Sequence, residues 1–181
     1  MAEALRIQER EYGTEHREVA ITLANLGCAH GDLGDALTKR DLLEKALRIK
    51  EREYGLEQRE VAKTLTSLGN AYGYLADAQA MRDLLKKALR IQEREYGAEH
   101  RQVATTLTNL GIAYGDLGDA QKKRDLLEKA LRIKEREYGP EHQTVTITLD
   151  NLGSAYGDLG DTRRCEICWE GMAYPRARIW S

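Results

Sequence analysis

The chain repeats itself every 42 residues, and this period constrains its fold more than any other feature. Leu5, Leu47, Leu89 and Leu131 each open the same nonapeptide, LRIQEREYG or LRIKEREYG. Gly27, Gly69, Gly111 and Gly153 keep the same step, as do Asp35, Asp77, Asp119 and Asp161. The register holds without slippage as far as residue 161. A unit this short cannot bury an apolar face alone. Units of this kind stack on their neighbours, and roughly three are needed for stability.

Each unit carries two helical patterns. In the first copy Val19, Leu23, Leu26, His30 and Leu33 follow steps of four and three. That is one stripe of an amphipathic helix, here called A. Gly34 suits its C-terminal cap, and Asp35 the N-cap of a second helix, B. Leu43, Ala46, Leu47 and Tyr54 share the buried side of B, and Gly55 ends it. Glu44 and Arg48 are spaced for an i, i+4 pair on its wet side. Strand-like alternation is lacking, so the chain is expected to be all-α. The pattern predicts a partial helix B at 2–12 and A–B hairpins at about 17–54, 59–96 and 101–138. A lone helix A follows at 143–160. Residues 1–161 are expected to form one solenoid, and 162–181 an irregular tail.

Composition excludes several function classes. Charged residues make up 32% of the chain and its net charge is -2. A surface without basic excess is poorly suited to a phosphate backbone, so no nucleic-acid partner is expected. No apolar run approaches the roughly 18 residues that span a bilayer, so no membrane association is expected. The start, Met1-Ala2-Glu3-Ala4, lacks the basic and apolar regions of a signal peptide. Three cysteines, an odd number, fit free thiols in a reducing compartment. These features together predict a cytoplasmic protein.

Helix A reads LANLGCAH, LTSLGNAY, LTNLGIAY and LDNLGSAY in the four copies. This resembles the L-x-x-L-G-x-x-Y core of tetratricopeptide repeats over residues 2 to 161. The 42-residue period and the YGPEH loop at Tyr138 to His142 are similar to the longer repeats of kinesin light chains. The resemblance implies a right-handed superhelical solenoid of antiparallel helix hairpins. It also implies a protein-interaction scaffold that holds peptide segments in a concave groove lined by helix A. Carried onto this sequence, the groove residues are Asn25, Lys63, Ser67, Asn70, Tyr74, Asn109, Asp116, Asn151 and Asp158. Cys28, Asp32, Thr105, Ile112 and Ser154 occupy further groove positions. An Asn amide both donates and accepts, which suits a peptide backbone of any sequence. Lys63 is outnumbered by Asp32, Asp116, Asp150 and Asp158, so a basic or neutral peptide is expected. The chain departs from the family pattern at Lys39, Met81 and Lys123, where helix B usually has a small residue. Long side chains there are expected to snorkel or to push the hairpin open.

Other candidates for chemistry are weak. His16, His100 and His142 recur in equivalent loops, with Gln58 at the fourth place. One repeat apart, they are too distant to share a metal ion, whose ligands lie near ~2 Å. His30 replaces a packing Tyr and is expected to be partly buried. No catalytic constellation stands outside the repeat, so neither an enzyme nor a cofactor is expected. Cys165 and Cys168 form a C-x-x-C, but without the strand-to-helix setting of a redox motif or the second ligand pair of a zinc site. One codon choice for Glu-Arg-Glu-Tyr-Gly, read in a shifted frame, gives Ala-Arg-Ile-Trp, the sequence at Ala177 to Trp180. The tail is therefore expected to be an out-of-frame remnant of helix B that leaves the last helix A uncovered. Exposed stripes at both ends would favour a homo-oligomer, end to end or by hairpin exchange. The competing reading is a self-associating fragment with no dedicated ligand.

Overall fold

The computed structural model describes residues 2–55 and 58–173. All regular structure among them is α-helical: α1 (Ala2–Tyr12), α2 (Arg17–Asp32), α3 (Ala36–Tyr54), α4 (Arg59–Tyr74), α5 (Ala78–Tyr96), α6 (Arg101–Asp116), α7 (Ala120–Tyr138), α8 (Gln143–Asp158) and α9 (Thr162–Ala173). The chain divides into two compact units, Met1–Glu95 and Tyr96–Ser181.

Local chemistry sets the helix ends. Asp35, Asp77, Asp119 and Asp161 each accept the backbone N–H three residues on, at 2.9–3.1 Å. This is the N-cap geometry that satisfies one orphan donor of a helix start. The turn before each cap needs a left-handed residue. Gly34 supplies it at φ +82°, whereas Ala76 is forced to φ +58°.

In the first unit α2 and α3 form an antiparallel hairpin. A Cβ on Gly27 would lie 3.2 Å from Leu43 Cγ, so a larger residue would make Leu43 give way by a few tenths of an ångström. Val19, Ala20, Leu23, Ala46 and Ile49 are buried together, with Leu5 of α1 against them. Val61, Ala62, Leu65, Ala88 and Ile91 repeat the arrangement between α4 and α5, with Leu47 of α3 against them. Helix α3 thus has two buried sides, one on α2 and one on the next hairpin. Full burial of each Leu or Ile is worth about 1.5–3 kcal/mol. In the second unit Leu127 and Leu131 of α7 pack with Val145, Leu149 and Leu152 of α8.

Three expectations need correction. Lys39, Met81 and Lys123 do not push the hairpins open. Each lies over a glycine of helix A, where an added Cβ would fall 2.5 Å from Lys39 Cδ at Gly31. At Gly73 it would fall 2.8 Å from Met81 Sδ, and at Gly115 2.7 Å from Lys123 Cδ. The missing Cβ makes room for the long stem. Glu44 and Arg48 find other partners: Glu44 accepts from the Tyr72 hydroxyl at 2.5 Å, and Arg48 binds Glu15 at 2.8 Å.

The third correction concerns the tail and the cover of α8. Thr162–Ala173 is helix α9, not irregular chain. It continues the register of helix B. Asp161 caps it, Cys165 stands at the place of Lys123 beside Gly157, and Trp169 at the place of Leu127 against Gly153. Cys168 is 1% exposed in the core cluster with Leu149 and Leu152. The cap and the apolar stripe of α8 suffice to fold a sequence of modest helix propensity. The last helix A therefore has a cover. Pro175 and the expected remnant at Ala177 to Trp180 lie outside the described residues.

Candidate functional site

In the first unit a cleft of about 290 Å³ opens between α2, α3 and α4. Its wall is apolar, made by Ile21, Ala24 and Leu43, and its rim carries Asn25, Cys28, Lys63 and Ser67. The helix-A periodicity places Asn25 and Cys28 one turn apart on α2, and Lys63 and Ser67 one turn apart on α4. Three of the predicted groove residues, Asn25, Lys63 and Ser67, thus meet in one cavity.

The lower part of the cleft holds residues that the sequence reading missed. Lys50 of α3 lines it while only 5% exposed. Its ammonium donates to Thr64 Oγ1 at 3.0 Å, and that hydroxyl donates to the Glu60 carbonyl at 3.0 Å. Burial pushes the Lys50 amine below its ordinary range, partly offset by the Glu60 carboxylate. Glu60 is held low mainly by its hydrogen bond to Lys63, at 2.8 Å. Glu60 and Lys63 therefore neutralise each other at the rim. The signal for Lys50 was in the sequence: positions 50, 92 and 134 lie on the buried stripe of helix B yet hold Lys, Gln and Lys. All three are at most 6% exposed. Gln92 donates to Thr66 at 3.3 Å, and Lys134 to Thr108 and Thr148 at 2.9 and 2.8 Å.

The other predicted groove residues divide. Asn70 is half-buried on α4, and Tyr74 ends that helix, exposed, with Lys39 Nζ 5.5 Å above its ring. In the second unit Asn109 is half-buried and Asp116 exposed on α6. Asn151 donates to the Ile147 carbonyl of its own helix at 2.8 Å, which occupies one amide hydrogen. Asp158 is bound by Lys123 at 3.0 Å, and the same ammonium donates to Ser154 at 2.9 Å. Where the first unit has Cys28, Glu60 and Lys63, the second has Ile112, Thr144 and Ile147, so this face turns apolar there. Ile147 is 49% exposed. Cys165 and Cys168 are free, and burial pushes the Cys168 thiol up to about 11, away from the thiolate that redox chemistry needs.

Two family models, both described as tetratricopeptide repeat, match residues 19–60 and 60–135. The chain is a tetratricopeptide-repeat protein. Its family acts generally in protein–protein interaction. Solved structures share the fold of this repeat protein. BtubC (BKLC) from P. vanneervenii aligns at a TM-score of 0.85 and 24% identity, over 97% of this chain and 70% of that one. A predicted kinesin light chain of Podosopora anserina, with nearly identical TPR-like repeats, aligns at 0.81 and 22% identity, over 95% and 81%. The apo form of RapI aligns at 0.80 and 20% identity, over 96% and 62%. The tetratricopeptide chain finds no match among curated protein sequences. Among its described residues no helix is long and apolar enough to cross a membrane.

Proposed function

We propose that this repeat protein is a scaffold that holds an extended peptide segment along its helix-A face, with the cleft between α2, α3 and α4 taking one side chain. The cleft itself carries the reading: apolar Ile21, Ala24 and Leu43 line it beside the hydrogen-bonding side chains of Asn25 and Ser67. Its volume lies at the lower end of pockets for small molecules, which suits a side chain better than a cofactor. Asn25 and Ser67 offer both donors and acceptors to the backbone of the segment.

Charge selects the side chain. Lys63 and Glu60 cancel, and Lys50 leaves a positive group below them. A basic side chain is therefore disfavoured. This narrows the expectation of a basic or neutral peptide, because counting helix-A positions alone omitted Lys50. The test is selection of a random peptide library on the full chain and on a Ser67→Trp variant that plugs the cleft. Selected peptides should bind the variant at least tenfold more weakly, and replacing the inserted residue with Lys should weaken them on the native chain. Equal binding to both proteins contradicts the reading.

A second reading, self-association, is favoured by one observation. Ile7 of α1 is 50% exposed, whereas Ile49, Ile91 and Ile133 at the same repeat position are 1%, 2% and 1% exposed. Sedimentation of the native chain and an Ile7→Glu variant separates this from a monomeric scaffold. A concentration-independent monomer for both rules it out.

A further inference from the structure

Three of the four histidines occupy one geometry. His16, His100 and His142 immediately precede α2, α6 and α8. In each, the imidazole Nδ1 accepts the backbone N–H two residues on, from Glu18 at 3.3 Å, Gln102 at 3.2 Å and Thr144 at 3.2 Å. Each ring also stacks on the tyrosine four residues back, with centroids 4.9 Å apart for Tyr12, 4.6 Å for Tyr96 and 4.6 Å for Tyr138. Most helices are capped by Ser, Thr, Asn or Asp, whose acceptor oxygens keep their lone pairs at neutral pH. An imidazole differs. A ring that accepts through Nδ1 carries its proton on Nε2 and is neutral, and once protonated both nitrogens are donors.

An imidazolium at a helix start meets the positive end of the helix dipole. Beside His16 stand Glu15, Arg17 and Glu18, and α3 sends Arg48 and Arg52 onto the Glu15 carboxylate, each at 2.8 Å. Arg17 also reaches Glu18 at 3.2 Å. Beside His100 stand Glu99 and Arg101, and Arg136 of α7 takes Glu99 Oε2 at 2.8 Å and its carbonyl at 2.6 Å. The Glu15, Glu18 and Glu99 carboxylates are thus already bound by arginine. Beside His142 stand Glu141 and the Thr144 hydroxyl, which lies 2.9 Å from Nδ1. The fourth equivalent position is Gln58, which makes no side-chain cap hydrogen bond to α4. The molecule therefore contains its own untitratable control.

We propose that His16, His100 and His142 form a repeated acid-sensitive latch: protonation of the three imidazoles removes the N-cap bonds of α2, α6 and α8 together and frays their first turns. Histidine is the side chain that ordinarily changes charge between roughly pH 5 and 8. Helix A starts that are closed at neutral pH would loosen at mildly acidic pH, while α4 would not respond. His30 stands apart from the three, its Nδ1 facing Asp35 Oδ2 at 3.3 Å. It is left in place in the test.

The test uses the full chain and a triple variant, His16→Asn, His100→Asn and His142→Asn, in which an untitratable acceptor replaces each ring. Lowering the pH from about 7.5 to 5.5 should reduce the melting temperature of the native chain by roughly 6–10 °C, from three lost caps. The variant should lose less than half of that drop. In the native chain, NMR should find all three rings in the Nε2–H form at the higher pH. Exchange protection of the Glu18, Gln102 and Thr144 amides should fall on acidification, and that of the Glu60 amide should not. Rings in the Nδ1–H form, or equal loss of protection at Glu60, overturn the proposal even where the variant does not fold. A variant that folds but keeps the whole pH drop overturns it as well.

Discussion

Replacing Lys134 with Gln should stabilise the protein at neutral pH and remove part of its pH dependence. Lys134 is 6% exposed, and its ammonium donates to Thr108 and Thr148. Both hydroxyls in turn donate to carbonyls of their own helices, of Ala104 at 3.0 Å and Thr144 at 2.8 Å. Burial lowers the amine from 10.5 to about 8. A difference of that size corresponds to about 3 kcal/mol against the charged form in the folded chain. The unfolded chain keeps the proton up to the ordinary lysine range, while the folded chain releases it near pH 8. Between these limits the unfolded state binds more protons, so stability rises with pH and the penalty is complete below pH 8. Gln at this position has a precedent within the chain, since Gln92 donates to Thr66 from the equivalent place. It keeps amide donors toward both threonines but exchanges charged hydrogen bonds for neutral ones, a loss of about 1 kcal/mol. The net gain at pH 7 should be about 2 kcal/mol, shrinking to near zero or below at about pH 10.5. Urea unfolding followed by circular dichroism at the two pH values measures the difference. A variant less stable at pH 7, or an equal difference at both pH values, refutes the reasoning.

Three further outcomes follow from named contacts. Ala76→Gly should raise stability by about 0.5–1 kcal/mol, because the residue sits at φ +58° where the other three copies have glycine; calorimetry reads the shift. Gly111→Ala should destabilise by about 1–3 kcal/mol, since the new Cβ would lie 3.0 Å from Leu127 Cγ and 3.3 Å from the Lys123 carbonyl, with Leu127 fully buried; the urea midpoint should fall. Thiol titration should modify exposed Cys28 readily in the native protein, whereas Cys168, buried and raised to about 11, should react only on unfolding.

The repeat made the helices legible because each position is written several times. The recurring aspartate forecast the N-caps of the three helices B, and they are present at Asp35, Asp77 and Asp119; Asp161 caps a further helix that was not expected. What escaped was compensation between positions. Lys39 and Lys123 looked too long for the A–B contact when weighed alone, yet Gly31 and Gly115 supply the space. The tail looked irregular by propensity, but Asp161 and the stripe of α8 give it a start and a surface to cover. At the candidate site Asn25, Lys63 and Ser67 were named from the resemblance to tetratricopeptide repeats, and they line one cleft. Lys50 went unnamed because it comes from helix B, outside the helix-A positions, where it stands as a polar residue on an apolar stripe. Its meaning depends on Thr64, 14 residues away, which the chain brings to 3.0 Å.

The most direct test of the scaffold reading is an amide chemical-shift map of the full chain titrated with a peptide selected for binding. The account predicts the largest changes at Asn25, Cys28, Lys63 and Ser67, where α2 and α4 border the cleft. Changes confined to the exposed positions of α3 and α5, such as Arg48 and Arg90, would contradict it.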